Sequence, residues 1–225
     1  MFDCDLHTHS RFFHFDPTVA AGYDPVGTRL TLAVARRRGL TGIAVTNHDY
    51  FRPETLVSES CLPGIEITTT AGHLLVIGPK PPTRTQPGEL SPREAVDLAH
   101  DHDCAAIIAH PFRNSSLKES NADFDAVEIN GKHPEYHAQI EALAADRGLP
   151  IVGGSDAHFP FEVGRVATRL DIDQLTPAAV VSAIRDGRVE PVFRDGPFLR
   201  ELQGVYDRIH RLKGHHQPVR EHAHK

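Results

Sequence analysis

The side chains able to do chemistry begin almost at once, in Asp5-Leu6-His7-Thr8-His9. Phe2, Cys4 and Leu6 alternate with polar residues, which predicts a strand. On a strand His7 and His9 share a face and can grip one metal ion together. Such a pair needs partners, and further stretches offer them: His48-Asp49, Glu66, His73, His110 and Asp156-Ala157-His158. Each ends or closely follows an apolar, strand-like run. Imidazoles and carboxylates delivered by separate strands to one end of a sheet or barrel make a polynuclear metal site.

The elements that must position these groups follow from periodicity and punctuation. Asp24 as N-cap, Pro25 at the first helical position and Gly39 as the stop predict a helix after the first strand. Residues 43–45 form a short strand ending at His48-Asp49. Residues 64–67 and 73–77 form two more, too close in sequence for a parallel crossover, so a hairpin turning near Thr70 and Ala71 joins them. In that hairpin Glu66 and His73 are diagonal neighbours, about 7 Å apart at the backbone.

Residues 79–90 read as a Pro-rich loop, ended by Ser91-Pro92-Arg93-Glu94, a capping box with proline at the first helical position, which starts a helix to about residue 102. Strands over 104–109 and 126–129 deliver His110 and Asn130. A helix over 134–147 stops at Gly148, and 150–152 lead into Asp156. Beyond lie a strand at 166–170, a helix capped by Thr176-Pro177, an extended stretch at 189–193 and a terminal helix over 198–212. Seven strand candidates before residue 160 alternate with helices, and the polar residues cluster at strand ends. That distribution favours an α/β barrel over a doubly wound sheet.

A chain of 225 residues suits one core, so residues 1–212 are expected to form a single catalytic domain and 213–225 a polar, histidine-rich, mobile tail. The net charge is -6 and no long basic run occurs. General affinity for nucleic-acid backbone, and for long duplexes in particular, is therefore not expected, while a nucleotide or short oligonucleotide remains open. Three cysteines without C-x-x-C spacing, Cys4, Cys61 and Cys104, suit buried, reduced thiols. No run approaches the roughly 20 apolar residues of a membrane helix, and the N-terminus lacks a signal-peptide pattern. A soluble, unexported, cytoplasmic protein with no membrane partner is expected.

With these motifs in place, the chain resembles the PHP family, named for polymerase and histidinol phosphatase, over roughly residues 1 to 170. The resemblance rests on D-L-H-T-H-S at 5–10, T-N-H-D at 46–49, G-I-E-I at 64–67, A-H-P-F at 109–112 and G-S-D-A-H at 154–158. It implies a distorted seven-stranded (β/α) barrel with three divalent ions, zinc, manganese or iron. By the same resemblance His7, His9, Glu66 and Asp156 hold the first ion, Glu66, His73 and His110 the second, and His14, His48 and His158 the third, with Asp16 an alternative to His14. Two departures stand out. Asn47 replaces the usual carboxylate of T-D-H-D, and residues 79–90 are too short to be the domain that some relatives insert over the site.

The expected activity is hydrolysis of a phosphate ester, with a hydroxide bridging metals of a trinuclear site, Asp156, His158 and Glu66 at its centre, and Arg113 forking onto the phosphate. The substrate is a small phosphomonoester, a nucleotide or a short oligonucleotide. Two alternatives are an amidohydrolase-type metal hydrolase, against which the central strands offer no lysine to be carbamylated, and a non-catalytic, regulatory metal-binding domain. His100, His102, His133 and His137 read as ordinary polar residues.

Overall fold

Short continuous apolar runs, buried on both faces, fix the inner strands in this computed structural model, which describes residues 1–11 and 20–194. Nine strands form one sheet: β1 (Phe2–Thr8), β2 (Gly42–Val45), β3 (Cys61–Thr69), β4 (Gly72–Ile77), β5 (Ala105–Ile108), β6 (Ala126–Asn130), β7 (Ile151–Gly154), β8 (Val166–Leu170) and β9 (Val189–Phe193). Their order is β7-β6-β5-β4-β3-β2-β1-β8-β9. The helices are α1 (Ala20–Arg37), α2 (Pro92–Asp101), α3 (His137–Arg147) and α4 (Pro177–Arg185).

The expected seven-stranded (β/α) barrel is thus replaced by a nine-stranded mixed sheet curled until it nearly closes. Pairing is parallel from β1 to β3 and from β5 to β7, but antiparallel along β3-β4-β5 and β1-β8-β9. The two-residue link Thr70-Ala71 permits only a hairpin, and the longer links after β4 and β8 also return the chain antiparallel. β7 meets β8 and β9 across the seam. There the Thr168 hydroxyl donates to the Gly153 carbonyl at 2.9 Å and accepts from the Gly153 N–H at 2.8 Å, bonds that stand in for a ladder. Just beyond β7, His9 N–H donates to the Ala157 carbonyl at 2.8 Å and ties β7's end to β1.

Alternation splits β3–β5 between two faces. Leu62, Leu75, Ile77, Ala105 and Ile107 pack with Cys4, Leu6 and the α4 residues Val180, Val181 and Ile184. Ile65, Ile67, Leu74, Val76, Ala106 and Ile108 turn to Ala95, Val96 and Ala99 of α2 and to Ile140 and Ala144 of α3. Each such aliphatic side chain contributes about 1.5–3 kcal/mol by leaving water. Ile77 and Ala105 lie at the strand ends opposite His73 and His110, so α4 stoppers one end of the sheet and leaves the other to the polar residues.

The Ser91–Glu94 capping box and the left-handed Gly148 cap form as expected. α1 differs: it begins at Ala20 with Pro25 inside it. Asp24 does not cap it, since that side chain is buried and accepts a hydrogen bond from the Tyr50 hydroxyl at 2.8 Å. The three cysteines are free and buried, and burial pushes the Cys4 thiol up to about 12 and the Cys104 thiol up to about 11. No helix among the described residues is long and apolar enough to cross a membrane. The expected 198–212 helix and the 213–225 tail lie outside the described residues, as do His14 and Asp16.

Candidate metal centre

Every described histidine and carboxylate singled out for metal comes to the same end of the sheet. His7 and His9 leave β1 past a slip in its pairing with β2 between Asp5 and Thr8, an irregularity of the kind that re-aims side chains. His48 follows β2, His110 follows β5, and Asp156 and His158 follow β7. β4 runs antiparallel, so its second residue, His73, arrives at this end too. Glu66 pairs with Leu75 and Thr68 with His73, which makes Glu66 and His73 the expected diagonal neighbours. Asp49, His110 and Asp156 take φ values of +58°, +27° and +49°, a left-handed region that costs about 1–3 kcal/mol per non-glycine residue.

The side chains converge closely. Glu66 is fully buried, and its Oε2 lies 3.3 Å from His7 Nε2, 3.4 Å from His9 Nε2 and 3.0 Å from His48 Nδ1. Its Oε1 lies 2.9 Å from His73 Nδ1 and 3.1 Å from His110 Nε2. Asp156 divides its labour. Oδ1 faces His158, His9 and His7 at 3.2, 3.4 and 3.7 Å, while Oδ2 meets Arg113 at 3.1 Å and Lys132 at 3.4 Å.

Charge follows from these neighbours. Burial alone pulls the His7 pKa down, but Glu128, Glu66 and Asp156 outweigh it and hold the ring well above its ordinary range. Burial and then the charge of His158 push His9 well below. Burial raises Glu66, but His48 and His7 bring it well under the carboxylate range; Lys132 and His158 do the same for Asp156.

These groups fit divalent ions. Glu66 Oε2, His73 Nδ1 and His110 Nδ1 are buried without a hydrogen-bond partner, a burial that costs about 1–3 kcal/mol each unless something else satisfies them. Ligands held tetrahedrally at about 2.0–2.1 Å from a zinc-sized ion stand about 3.3–3.4 Å apart. His7 Nε2 and His9 Nε2 are 3.2 Å apart, and both are at 3.3–3.4 Å from Glu66 Oε2. Three overlapping groups have ligand atoms mutually within 4.8 Å: His7, His9 and Asp156; His48, Glu66 and His73; His9, His48 and His158. The last of these contains His48 and His158, two of the residues that the resemblance gives the third ion, while His14 lies outside the described residues. A mixed imidazole and carboxylate set suits zinc, manganese or ferrous iron better than magnesium or calcium.

Sequence reasoning missed Glu128, and it offers Lys132 only as a weaker counterpart of Arg113 for gripping a phosphate. Glu128 on β6 is buried and accepts from His7 Nδ1 at 2.8 Å and from the His110 N–H at 2.9 Å. It fixes the ring so that Nε2 faces Glu66. Its signal was a carboxylate two residues before Asn130 in an otherwise apolar strand, on the same face. Lys132 is 5 % exposed and stands 3.2 Å from His158 Nδ1 as well as beside Asp156. Gly154 lies between His7 and Glu128, and a Cβ there would stand 2.6 Å from His7 Cβ and against the Glu128 carboxylate. The Asn47 departure has a structural use: its Oδ1 accepts from the Ser10 N–H at 2.9 Å and its Nδ2 donates to the Ser10 hydroxyl at 2.8 Å, pinning the residue after His9. A cavity of about 290 Å³ opens onto the cluster, lined by His48, Glu66, His73, His110, Arg113 and Asp156 among others.

A family model described as PHP-associated matches residues 134–189. No curated protein matches the chain. Among solved structures, PsfC from Pseudomonas syringae PB-5123 shares the fold with a TM-score of 0.67 at 18% identity, over 92% of this chain and 98% of that one. A two-domain protein from Bacteroides vulgatus ATCC 8482, containing a predicted PHP-like metal-dependent phosphoesterase, gives 0.61 at 19% identity, over 91% of this chain and 69% of that one. A lesion-specific endonuclease from Pyrococcus furiosus gives 0.58 at 18% identity, over 84% of this chain and 57% of that one. With an endonuclease among the neighbours, the expectation that long duplex nucleic acid is excluded has no support.

Proposed function

Taking as premise a PHP-type domain, which the family match and the neighbouring folds support, we propose that this chain is a metal-dependent hydrolase of phosphate esters. The substrate class is a small phosphomonoester, a nucleotide or a short oligonucleotide. One observation carries the reading: the buried Glu66 carboxylate, with one oxygen lacking any hydrogen bond, stands among five imidazoles at 2.9–3.4 Å. Uncatalysed hydrolysis of phosphate esters is among the slowest reactions enzymes face, and its chief demand is charge on the phosphoryl oxygens and a reactive water. Bound divalent ions supply both that charge and the activation of water.

The chain's own residues would do the rest. His7, His9, His48, Glu66, His73, His110, Asp156 and His158 would hold up to three ions, of zinc, manganese or iron, with His14 or Asp16 the further candidates for the third. Glu128 orients His7. Lys132 and Arg113 hold one oxygen of Asp156 and turn the other to the imidazoles. Arg113 also lines the cavity, where its guanidinium suits the non-bridging oxygens of a phosphate.

The amidohydrolase alternative gains one observation, since Lys132 is buried just past β6. Its ammonium pairs with Asp156, however, and the carboxylate that stands among the five imidazoles, and would be shared between ions, is that of Glu66. The test is phosphate release from histidinol phosphate, a nucleoside 3',5'-bisphosphate and an aryl phosphate, with each metal supplied in turn and Asp156→Ala as control. Release that falls by about 10³-fold or more in the variant, as when a group acting only in the transition state is lost, supports the proposal. Release that survives in the variant, or none from any ester by the folded, metal-loaded protein, overturns it.

A further inference from the structure

A second cavity, of about 430 Å³, lies on the far side of His48, which lines both it and the cavity over the metal cluster. Its walls include Arg11, Tyr50, Phe51, Arg52 and Arg84. The carboxylate in this wall, Asp49, is already engaged: it accepts from the Thr68 N–H at 2.9 Å, the Thr68 hydroxyl at 2.7 Å and the Thr85 hydroxyl at 2.9 Å. Arg52 and Arg84 form no ion pair with any described residue. The first cavity is different, because the arginine that lines it, Arg113, is engaged by Asp156 at 3.1 Å. The unspent positive charge beside the metal cluster is therefore concentrated in the second cavity.

Its walls are also built before any ligand arrives. Phe51 N–H donates to the Thr83 carbonyl and Thr85 N–H to the Asp49 carbonyl, each at 3.0 Å, and Tyr50 bridges Arg84 in antiparallel fashion. Two short segments thus brace one another across the cavity. The Tyr50 hydroxyl is tied to Asp24, and the Arg52 guanidinium lies 5.9 Å over the Tyr50 ring. A guanidinium laid over a ring, as that of Arg52 is, recognises phosphate with two parallel hydrogen bonds and loses little freedom in doing so, and the backbone bridge sets Arg84 on the same cavity wall.

We infer that the Arg52–Arg84 cavity is a subsite for a second phosphate, so that the preferred ester carries one phosphate at the metal cluster and another beyond His48. The inference rests on the phosphoesterase reading for the identity of the first phosphate. The shared chemistry is a pair of phosphates on one molecule, whether a bisphosphorylated small molecule or the next phosphate of a short strand.

The test is equilibrium binding of non-hydrolysable α,ω-alkane bisphosphonates of two, four and six carbons to the full, metal-loaded chain, against alkyl monophosphonates of the same lengths. The best bisphosphonate should bind about tenfold or more tightly than its monophosphonate, and Arg52→Gln with Arg84→Gln should erase that advantage. Glutamine keeps most of each stem's packing, and a thermal melt confirms the fold. Equal binding of the two series, or an advantage that survives the double substitution, overturns the subsite. Competition by a nucleoside 3',5'-bisphosphate against a 5'-phosphorylated dinucleotide then separates the two sources. Because binding is read without turnover, the two proposals fail separately. An Arg-dependent advantage in a protein that hydrolyses no ester leaves the subsite and removes the activity. Ester turnover without the advantage does the reverse.

Discussion

At the start of β1 the Asp3 carboxylate meets Arg169 at 2.9 Å and Arg194 at 2.6 Å. Four residues later His7 enters a group of carboxylates and imidazoles in which buried atoms lack partners. One strand therefore ends in two differently balanced networks. At Asp3 the charges match and water reaches the side chains, and only Arg194 Nε is left without a hydrogen bond. At His7 the carboxylate of Glu66 is fully buried and five imidazoles face it, those of His7, His9 and His110 buried with it. A protein bears such a cluster only if something outside the chain completes it, and cations do. The contrast shows that buried charge by itself is a weak sign of function, whereas buried donors and acceptors left unmatched are a strong one.

The largest effect that can break this comparison is on stability. Stripping the protein with a chelator and restoring zinc, manganese or ferrous iron should raise the melting temperature, since an ion at a thousand times its Kd contributes about 4 kcal/mol. A melting temperature indifferent to all three would mean that the His7 end is as self-sufficient as the Asp3 end. A middle-sized effect sharpens it. Glu128→Gln removes the charge that orients His7, and loss of such an outer partner typically weakens metal binding about 10–100-fold, measurable by competition with a chromophoric chelator. Unchanged affinity would show that the pair is mere packing.

The smallest effect lies at the other end of the strand. Asp3→Asn should cost about 1 kcal/mol or less, because water screens this pair, and should leave metal affinity alone. Burial raises the Asp3 pKa, but Arg169 and Arg194 bring it below 3.8 overall. Its contribution is therefore present above that value and lost as pH falls through the depressed folded-state value. Acid melts of the wild type and the variant should converge there. A gap that widens with acid would refute the assignment.

What could be read from the sequence follows a physical divide. His7, Glu66, His110, Asp156 and His158 stand out because polar residues that close an apolar run are seldom there for packing. The hairpin was legible because five residues leave room for nothing else. Glu128 was not, because its meaning depends on what stands opposite: a glutamate within a strand looks solvated until β1 and β7 are laid beside it. The nine strands were each visible as extended stretches, but β8 and β9 join the sheet through long-range antiparallel pairing that no local pattern records. α1 was misplaced because Pro25 marks a helix start as readily as it tolerates an early turn, and only Tyr50 reveals that Asp24 is engaged elsewhere.

Gly154 has a consequence for how this chain can vary. With no room for a methyl group between His7 and Glu128, the position is closed to drift even though glycine itself does no chemistry. In a saturation library it should behave like a ligand, with each substitution prying the imidazole from its carboxylate and metal retention failing before the fold does. A residue whose contribution is vacancy would then mark the innermost boundary of the site, and its intolerance would trace that boundary without reference to any reaction.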